Sequence, residues 1–354
     1  MKNIKKWMVL LLLSALTTLA FTACSNDDAK TAAVNNQDGI EKLVLNHQST
    51  AGFISFPELA EDLGYLAPIK LNYLGNIIGG PQDLQALATG DVDFATAFNG
   101  AIIKLAASGV DIVTLVGSYG SDTNTAIGFY VPEDSPIKSA RDLIGKKISV
   151  NTLGAHAEFV IKEYLSRGGL SKAEIDQVEL TVLPPVNSEQ ALRGNQVDVA
   201  QLQNILRDKA LERGGIRALF TDVELYGDFT AGNYTVTRKF LKENPNTVRK
   251  FVDGTARAIE WARTTPREEV VARYTEIINK RGRNEDARLV QFWKSTGIAD
   301  KGGLITPNQY QQWIDWLVQD GQLAPNKIKA SDLYDNSFNP YNVSENNEVS
   351  TSQK

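Results

Sequence analysis

Residues 85–95 read Gln-Ala-Leu-Ala-Thr-Gly-Asp-Val-Asp-Phe-Ala, and residues 190–200 read Gln-Ala-Leu-Arg-Gly-Asn-Gln-Val-Asp-Val-Ala. Six positions are identical at a constant offset of 105 residues: Gln85/Gln190, Ala86/Ala191, Leu87/Leu192, Val92/Val197, Asp93/Asp198 and Ala95/Ala200. In each copy a helical pattern passes through a tight turn into a β run. The spacing is far longer than the roughly 20–50 residues of a solenoid repeat. It points to two lobes built alike.

Working outward, short β-rich runs alternate with helical ones from Leu43 to Leu333, the pattern of α/β layers. Strands are expected at 43–45, 70–74, 91–97, 111–116, 127–131 and 147–150. Helices are expected at 53–63, with Pro57 in the first turn and Gly64 as the stop, and at 81–88, 101–107 and 155–167. Ser139 with Asp142, and Thr265 with Glu268, read as capping boxes, and Asn244-Pro245 reads as the start of a long helix. That helix carries Val248, Phe251, Val252, Ile259 and Ala262 on one face, and the helix after Thr306-Pro307 turns Tyr310, Trp313, Ile314 and Leu317 inward as core. Residues 337–354 are polar without periodicity and are expected to be a disordered tail.

The composition, 42% hydrophobic and 22% charged, is that of a folded chain long enough for two modest cores. Its ends differ. Lys2, Lys5 and Lys6 precede an apolar run that starts at Trp7 and closes near Ala20, a secretory layout too short for a permanent membrane span. The run leads into Leu19-Ala20-Phe21-Thr22-Ala23-Cys24, and Cys24 is the only cysteine. This stretch resembles the lipobox of bacterial lipoproteins, with Phe21 where Leu is commoner, and implies acylation of Cys24 after removal of residues 1–23. The polar residues that follow, to about 39, read as a tether. Loss of 1–23 removes three lysines and no acid, taking the formal charge from −5 to −8. Such an acidic body argues against nucleic acid, which is bound by neutralising phosphates with Lys and Arg. One cysteine leaves no disulfide framework.

The ordered set of segments resembles the ABC-importer binding proteins of the aliphatic-sulfonate, taurine and nitrate type. It is carried by Ala86-Leu87 to Ala95, by Ser135-Pro136-Ile137-Lys138-Ser139 to Ile148, by Leu153-Gly154-Ala155-His156 before a helix, and by Leu183-Pro184-Pro185 to Ala200. The resemblance implies an α/β two-lobe flytrap with two interlobe crossings, near Gly128 and Gly232. Lobe one would take 40–127 and 233–335, and lobe two 130–229. It further implies a monomeric exported protein, in the periplasm or on the outer face of the cell membrane. Its partners would be a small-molecule ligand and the permease and ATPase of an importer.

Loops that follow strands and open helices expose free backbone N–H groups, which favour anionic or polar ligands. Four loops are candidates. Gln48, Ser49, Gly52 and Phe53 follow the first strand; Asn99 and Gly100 follow the third; Ser118 and Tyr119 follow the fourth. In the second lobe Thr152, Ala155 and His156 open a helix, with Thr152 expected to face Asn99 across the cleft. Gln203 and Asn204 stand where Asn99 stands in the first copy, and Asn233-Tyr234 lies at the return crossing. Relatives of the resembled type often carry tryptophan and an acidic or proline residue near 201–204. The Gln-Leu-Gln-Asn found here suggests a pocket richer in amide hydrogen bonds, and the ligand the resemblance implies is a small anionic or polar organic molecule of the sulfonate, taurine or nitrate class.

Enzyme chemistry finds little footing. The two histidines, His47 and His156, lack metal-ligand spacing, no phosphate-cradling Gly-rich loop is present, and no cofactor, metal or catalytic residue is expected. Two alternatives accompany the resemblance: a thiamine-pyrimidine precursor synthase, which shares the fold, and a ligand-presenting sensor.

Overall fold

Asp93 and Asp198, the repeated acids, each close a strand junction in the same way. The structure, a computed structural model, describes residues 39–342. Cys24, the expected leader and the tether to Asp38 lie outside the described residues, as do residues 343–354. Ten strands are present among the described residues: β1 Val44–Ser49, β2 Lys70–Asn76, β3 Ala95–Phe98, β4 Ile112–Ser121, β5 Gly128–Pro132, β6 Lys147–Val150, β7 Glu179–Val182, β8 Val199–Leu202, β9 Ile216–Thr221 and β10 Phe229–Thr237. They form a pair β1-β2, a sheet β3-β10-β4 and a sheet β7-β6-β8-β5-β9.

The pair and the three-stranded sheet meet at Asp93, whose N–H donates to Asn46 O at 3.0 Å while its Oδ2 accepts from Asn46 N at 2.7 Å. In the other lobe the Asp198 N–H donates to Lys147 O at 2.9 Å, and its Oδ2 accepts from Lys147 N at 2.9 Å. The order β2-β1-β3-β10-β4 therefore mirrors β7-β6-β8-β5-β9. The preceding turns match too: Gly90 (φ 83°) and Asn195 (φ 56°) both take left-handed backbone, conformations open to glycine and tolerated by asparagine. β3 starts later than its apolar run because Asp93 is committed to β1.

Each lobe has its own buried core. The first packs Leu45, Leu59, Phe94, Val116 and Tyr234 against Val248, Phe251, Val252 and Ile259 of the helix Pro245–Thr264. A neighbouring cluster sets Leu87, Phe98 and Ile102 against Tyr310, Trp313 and Leu317 of the helix Asn308–Gln319. The second lobe buries Phe129, Ile148, Val160 and Phe220, with a smaller group around Leu192 and Ala200. Tyr164 stacks on Phe220 at 3.7 Å between centroids.

The chain crosses between the lobes from Ser121 to Gly128 and returns ahead of Phe229. Gly232, expected at the return, instead lies inside β10 opposite Phe98 and Tyr119. Asp222 clasps the crossings, accepting from Ser121 Oγ at 2.5 Å and from Ile127 N at 3.0 Å.

Three local expectations need correction. The helix expected from residue 53 begins at Phe56, because Ser55 and Glu58 form the capping box there. Thr265 caps nothing: the helix Arg267–Arg281 starts after Pro266 with no side-chain cap. Residues 337–342 are not a free tail, since Asn339 Nδ2 donates to Gly302 O at 2.9 Å, Arg249 lies over Phe338, and Tyr341 fills the space beside Gly302.

Candidate ligand-binding cleft

Between the lobes lies a cavity of about 170 Å³. From the first lobe it receives Gln48 and Ser49 at the end of β1 and Phe53 after it, Gly79, Gly80 and Asp83 at the start of the helix Gly80–Thr89, Thr96 to Phe98 on β3, and Ser118 to Ser121 on β4. The second lobe contributes Asn151, Ala155, His156, Pro185, Gln203 and Asn204. A hollow of about 80 Å³ adjoins it, shares Phe53, Tyr119 and Asn204, and continues to Tyr274, Phe292 and Trp293.

The two walls touch at the rim. Asn151 Nδ2 donates to Ile78 O at 3.3 Å, and a Cβ on Gly79 would come within 2.6 Å of Thr152 Cγ2, so this approach requires glycine. At the adjoining hollow Lys294 Nζ pairs with Asp208 at 2.9 Å.

The loop after β1 is anchored by charged side chains. Arg281 Nη1 and Nη2 both donate to Phe53 O at 3.1 Å, Gly52 N donates to Glu285 Oε1 at 2.6 Å, and Glu58 accepts from Arg281 at 3.3 Å and Arg283 at 2.7 Å. Glu58 and Glu285 thus balance the two guanidinium groups. Among the described residues, no Lys or Arg lines the 170 Å³ cavity.

His156 enters from the second lobe but packs on the first. Its ring stacks on Phe98 with centroids 4.8 Å apart and meets the edge of Phe229 at 5.5 Å. Its Nε2 lies 3.4 Å from Asp222 Oδ2. Burial pulls the imidazole down to about 3 and pushes the Asp222 carboxyl up to about 7, so the ring is neutral near pH 7 and the contact is not an ion pair. Neither ring nitrogen has a hydrogen-bond partner, and Ser121 donates to Asp222 rather than to the imidazole. Among the described residues the imidazole thus makes no hydrogen bond to the Ser121 hydroxyl, the bond by which histidine activates a serine nucleophile.

The cavity brings together ten of the residues singled out in the sequence: Gln48, Ser49, Phe53, Ser118, Tyr119, Ala155, His156, Gln203, Asn204 and Tyr234. Gly52 lines only the adjoining hollow. Asn99 and Thr152 do not face each other across it. Asn99 is fully buried, its Nδ2 donating to Gln309 O at 3.0 Å and Thr230 O at 3.3 Å, and its Oδ1 accepting from Asn233 Nδ2 at 2.6 Å. Asn233 also reaches Tyr310 Oη at 3.3 Å, so both asparagines tie β10 to the helix Asn308–Gln319 beneath the cavity. Gly100 serves packing, because a Cβ there would strike the Phe98 and Phe159 rings at 2.6 and 2.7 Å. Thr152 stays at the rim against Gly79.

Asp83 went unnoticed in the sequence. It is 1% exposed; its Oδ2 accepts from Thr96 N at 2.7 Å, while Oδ1 has no partner. Burial without a cation raises its carboxyl to about 7, the Thr96 N–H opposing only in part. Thr96 Oγ1 in turn donates to Ser118 Oγ at 2.6 Å. The signal was available: the 105-residue offset aligns Asp83 with Ser188, an uncharged residue.

Residues 59–269 match the NMT1/THI5-like family. The chain belongs to that family. Over 167 residues it is 29% identical to a protein of Escherichia coli K12 assigned by name to aliphatic-sulfonate binding, a match covering 47% of this chain and 49% of that relative. The match thus spans about half the length of the curated relative. The alkanesulfonate-binding protein SsuA of Xanthomonas axonopodis pv. citri, solved with MOPS bound, superposes with a TM-score of 0.65 at 17% identity, over 84% of this chain and 99% of that one. The shared architecture is the two-lobe flytrap of periplasmic binding proteins. A desulfurization enzyme, DszB, also superposes, with a TM-score of 0.51 at 18% identity over 83% of this chain and 97% of its own, so this family's fold carries more than one trade.

Proposed function

We propose that this chain is the extracytoplasmic solute-binding protein of an ABC importer, capturing a small polar organic molecule as its lobes close. What supports the reading most is a single cavity lined from both lobes and bridged at its rim by Asn151 and Ile78. The crossings at 121–128 and ahead of Phe229 would form the hinge, with 40–127 and 233–335 moving against 130–229. A binding role rather than an enzymatic one is favoured by the name of the curated relative and by the missing serine–imidazole bond. Cys24 would carry the acyl anchor, presenting the chain to the permease at the membrane surface.

Ligand that prefers the closed state stabilises by mass action, about 2.7 kcal/mol at a hundred times Kd. A thermal-shift screen over sulfonates, nitrate, pyrimidines and small acids is expected to raise Tm for at least one class. A flat response across the screen would contradict capture. For the anchor, Cys24→Ser is expected to move the protein from the membrane fraction to the soluble one; retention in the membrane would sink it.

A further inference from the structure

We propose that Asp83 is the specificity-determining residue of the cleft and that the ligand presents a donor nitrogen, an amino or ammonium group, to its free Oδ1. The proposal rests on reading the cleft as a capture site and narrows what is captured.

Three observations converge on it. First, Asp83 is buried to 1% exposure and lines the cavity, with one oxygen committed to Thr96 N and the other unpaired. An unpaired buried oxygen is costly, so a structure that keeps one has a use for it. Second, Gln48 lines the same cavity and also has a buried Oε1 without a partner, which makes two idle acceptors around one space. Third, among the described residues the lining has no Lys or Arg to answer a ligand anion, while Phe53, Phe94, Phe98 and Tyr119 supply aromatic surface. A carboxylate among aromatic rings with no competing cation suits a cationic or amino nitrogen. Any anionic group on the same ligand is left to backbone N–H groups at the start of the helix Gly80–Thr89, where Gly79 and Gly80 line the cavity.

The test uses matched pairs that differ by one amino group: 2-aminoethanesulfonate against ethanesulfonate, 4-aminobutanoate against butanoate, and 4-aminopyrimidine against pyrimidine. Binding to the wild-type chain and to Asp83→Asn is measured by calorimetry. The asparagine can keep its oxygen on Thr96 N and turn its amide donor to the cavity, inverting the polarity of the free position at nearly constant shape. In wild type an amino compound is expected to bind at least tenfold more tightly than its partner, and Asp83→Asn to weaken it at least tenfold while the amino-free partner is unaffected or improved. Equal binding of both members of every binding pair, or an amino-free ligand bound best, overturns the proposal and leaves capture standing. No binding by any member, with none in the wider screen, removes capture itself. Should Asp83→Asn fail to fold, the wild-type pairs alone decide.

Discussion

The two copies of the repeat share a frame and differ in what they offer the cleft. Leu87 and Leu192, Val92 and Val197, and Ala95 and Ala200 are all buried core, and Asp93 and Asp198 make the same reciprocal bonds to their neighbouring strands. Elsewhere the copies part in residue type or in surroundings. At the fourth residue of each helix stand Asp83 and Ser188; at the first residue of the next stand Asn99, sunk in the core, and Asn204, in the cavity. The core positions of the repeat are therefore kept alike, while what each copy offers the cleft depends on surroundings as well as on residue type.

The largest expected effect separates the two asparagines. Asn99→Ala removes a buried partner from each of Thr230 O, Gln309 O and Asn233 Nδ2 and is expected to cost about 3 kcal/mol in urea unfolding. Asn204→Gly, which suits the left-handed backbone there (φ 48°), is expected to change stability by less than about 0.5 kcal/mol and to act on binding. Equal costs would erase the contrast.

Next in size is the pH dependence of Asp83. Its folded carboxyl is raised to about 7, so the native state holds a proton that the unfolded state releases near 4. The stability it contributes is full below about pH 4 and is lost as pH rises to 7. Without ligand, Asp83→Asn is expected to match wild type near pH 4 and to exceed it by a margin that grows as pH rises to 7. A pH-independent difference would show that the carboxyl is not held in this way. A smaller effect distinguishes the acids of the strand junctions. Asp93→Ala removes bonds to Asn46 N and Lys42 Nζ, both 2.7 Å, and is expected to cost about 1–2 kcal/mol. Asp198→Ala, with Lys146 3.7 Å away and a more exposed carboxylate, is expected to cost about 1 kcal/mol or less. The reverse order would break the proposed equivalence.

The strand–helix alternation and the doubled lobe were legible in the sequence because burial periodicity and tight-turn residues are local signals. Loops after strands could be picked out for the same reason, and most of those named do line the cavity. Direction was not legible. Asn99 and Asn204 look alike in sequence, and only packing of the helix Asn308–Gln319, more than 200 residues away, turns one inward. Asp83 was passed over because a helical acid reads as solvated surface; its burial depends on Thr96 of β3 folding back over it. The tail was misjudged likewise, since Phe338, Asn339 and Tyr341 have no periodicity and find their partners on distant helices.

Hydrogen–deuterium exchange with and without the tightest compound from the paired set tests two-lobe capture most directly. Slowed exchange is expected together in 48–53 and 79–83 of one lobe and in 151–157 and 203–204 of the other. Protection confined to a single lobe, with the facing wall exchanging as before, would contradict it.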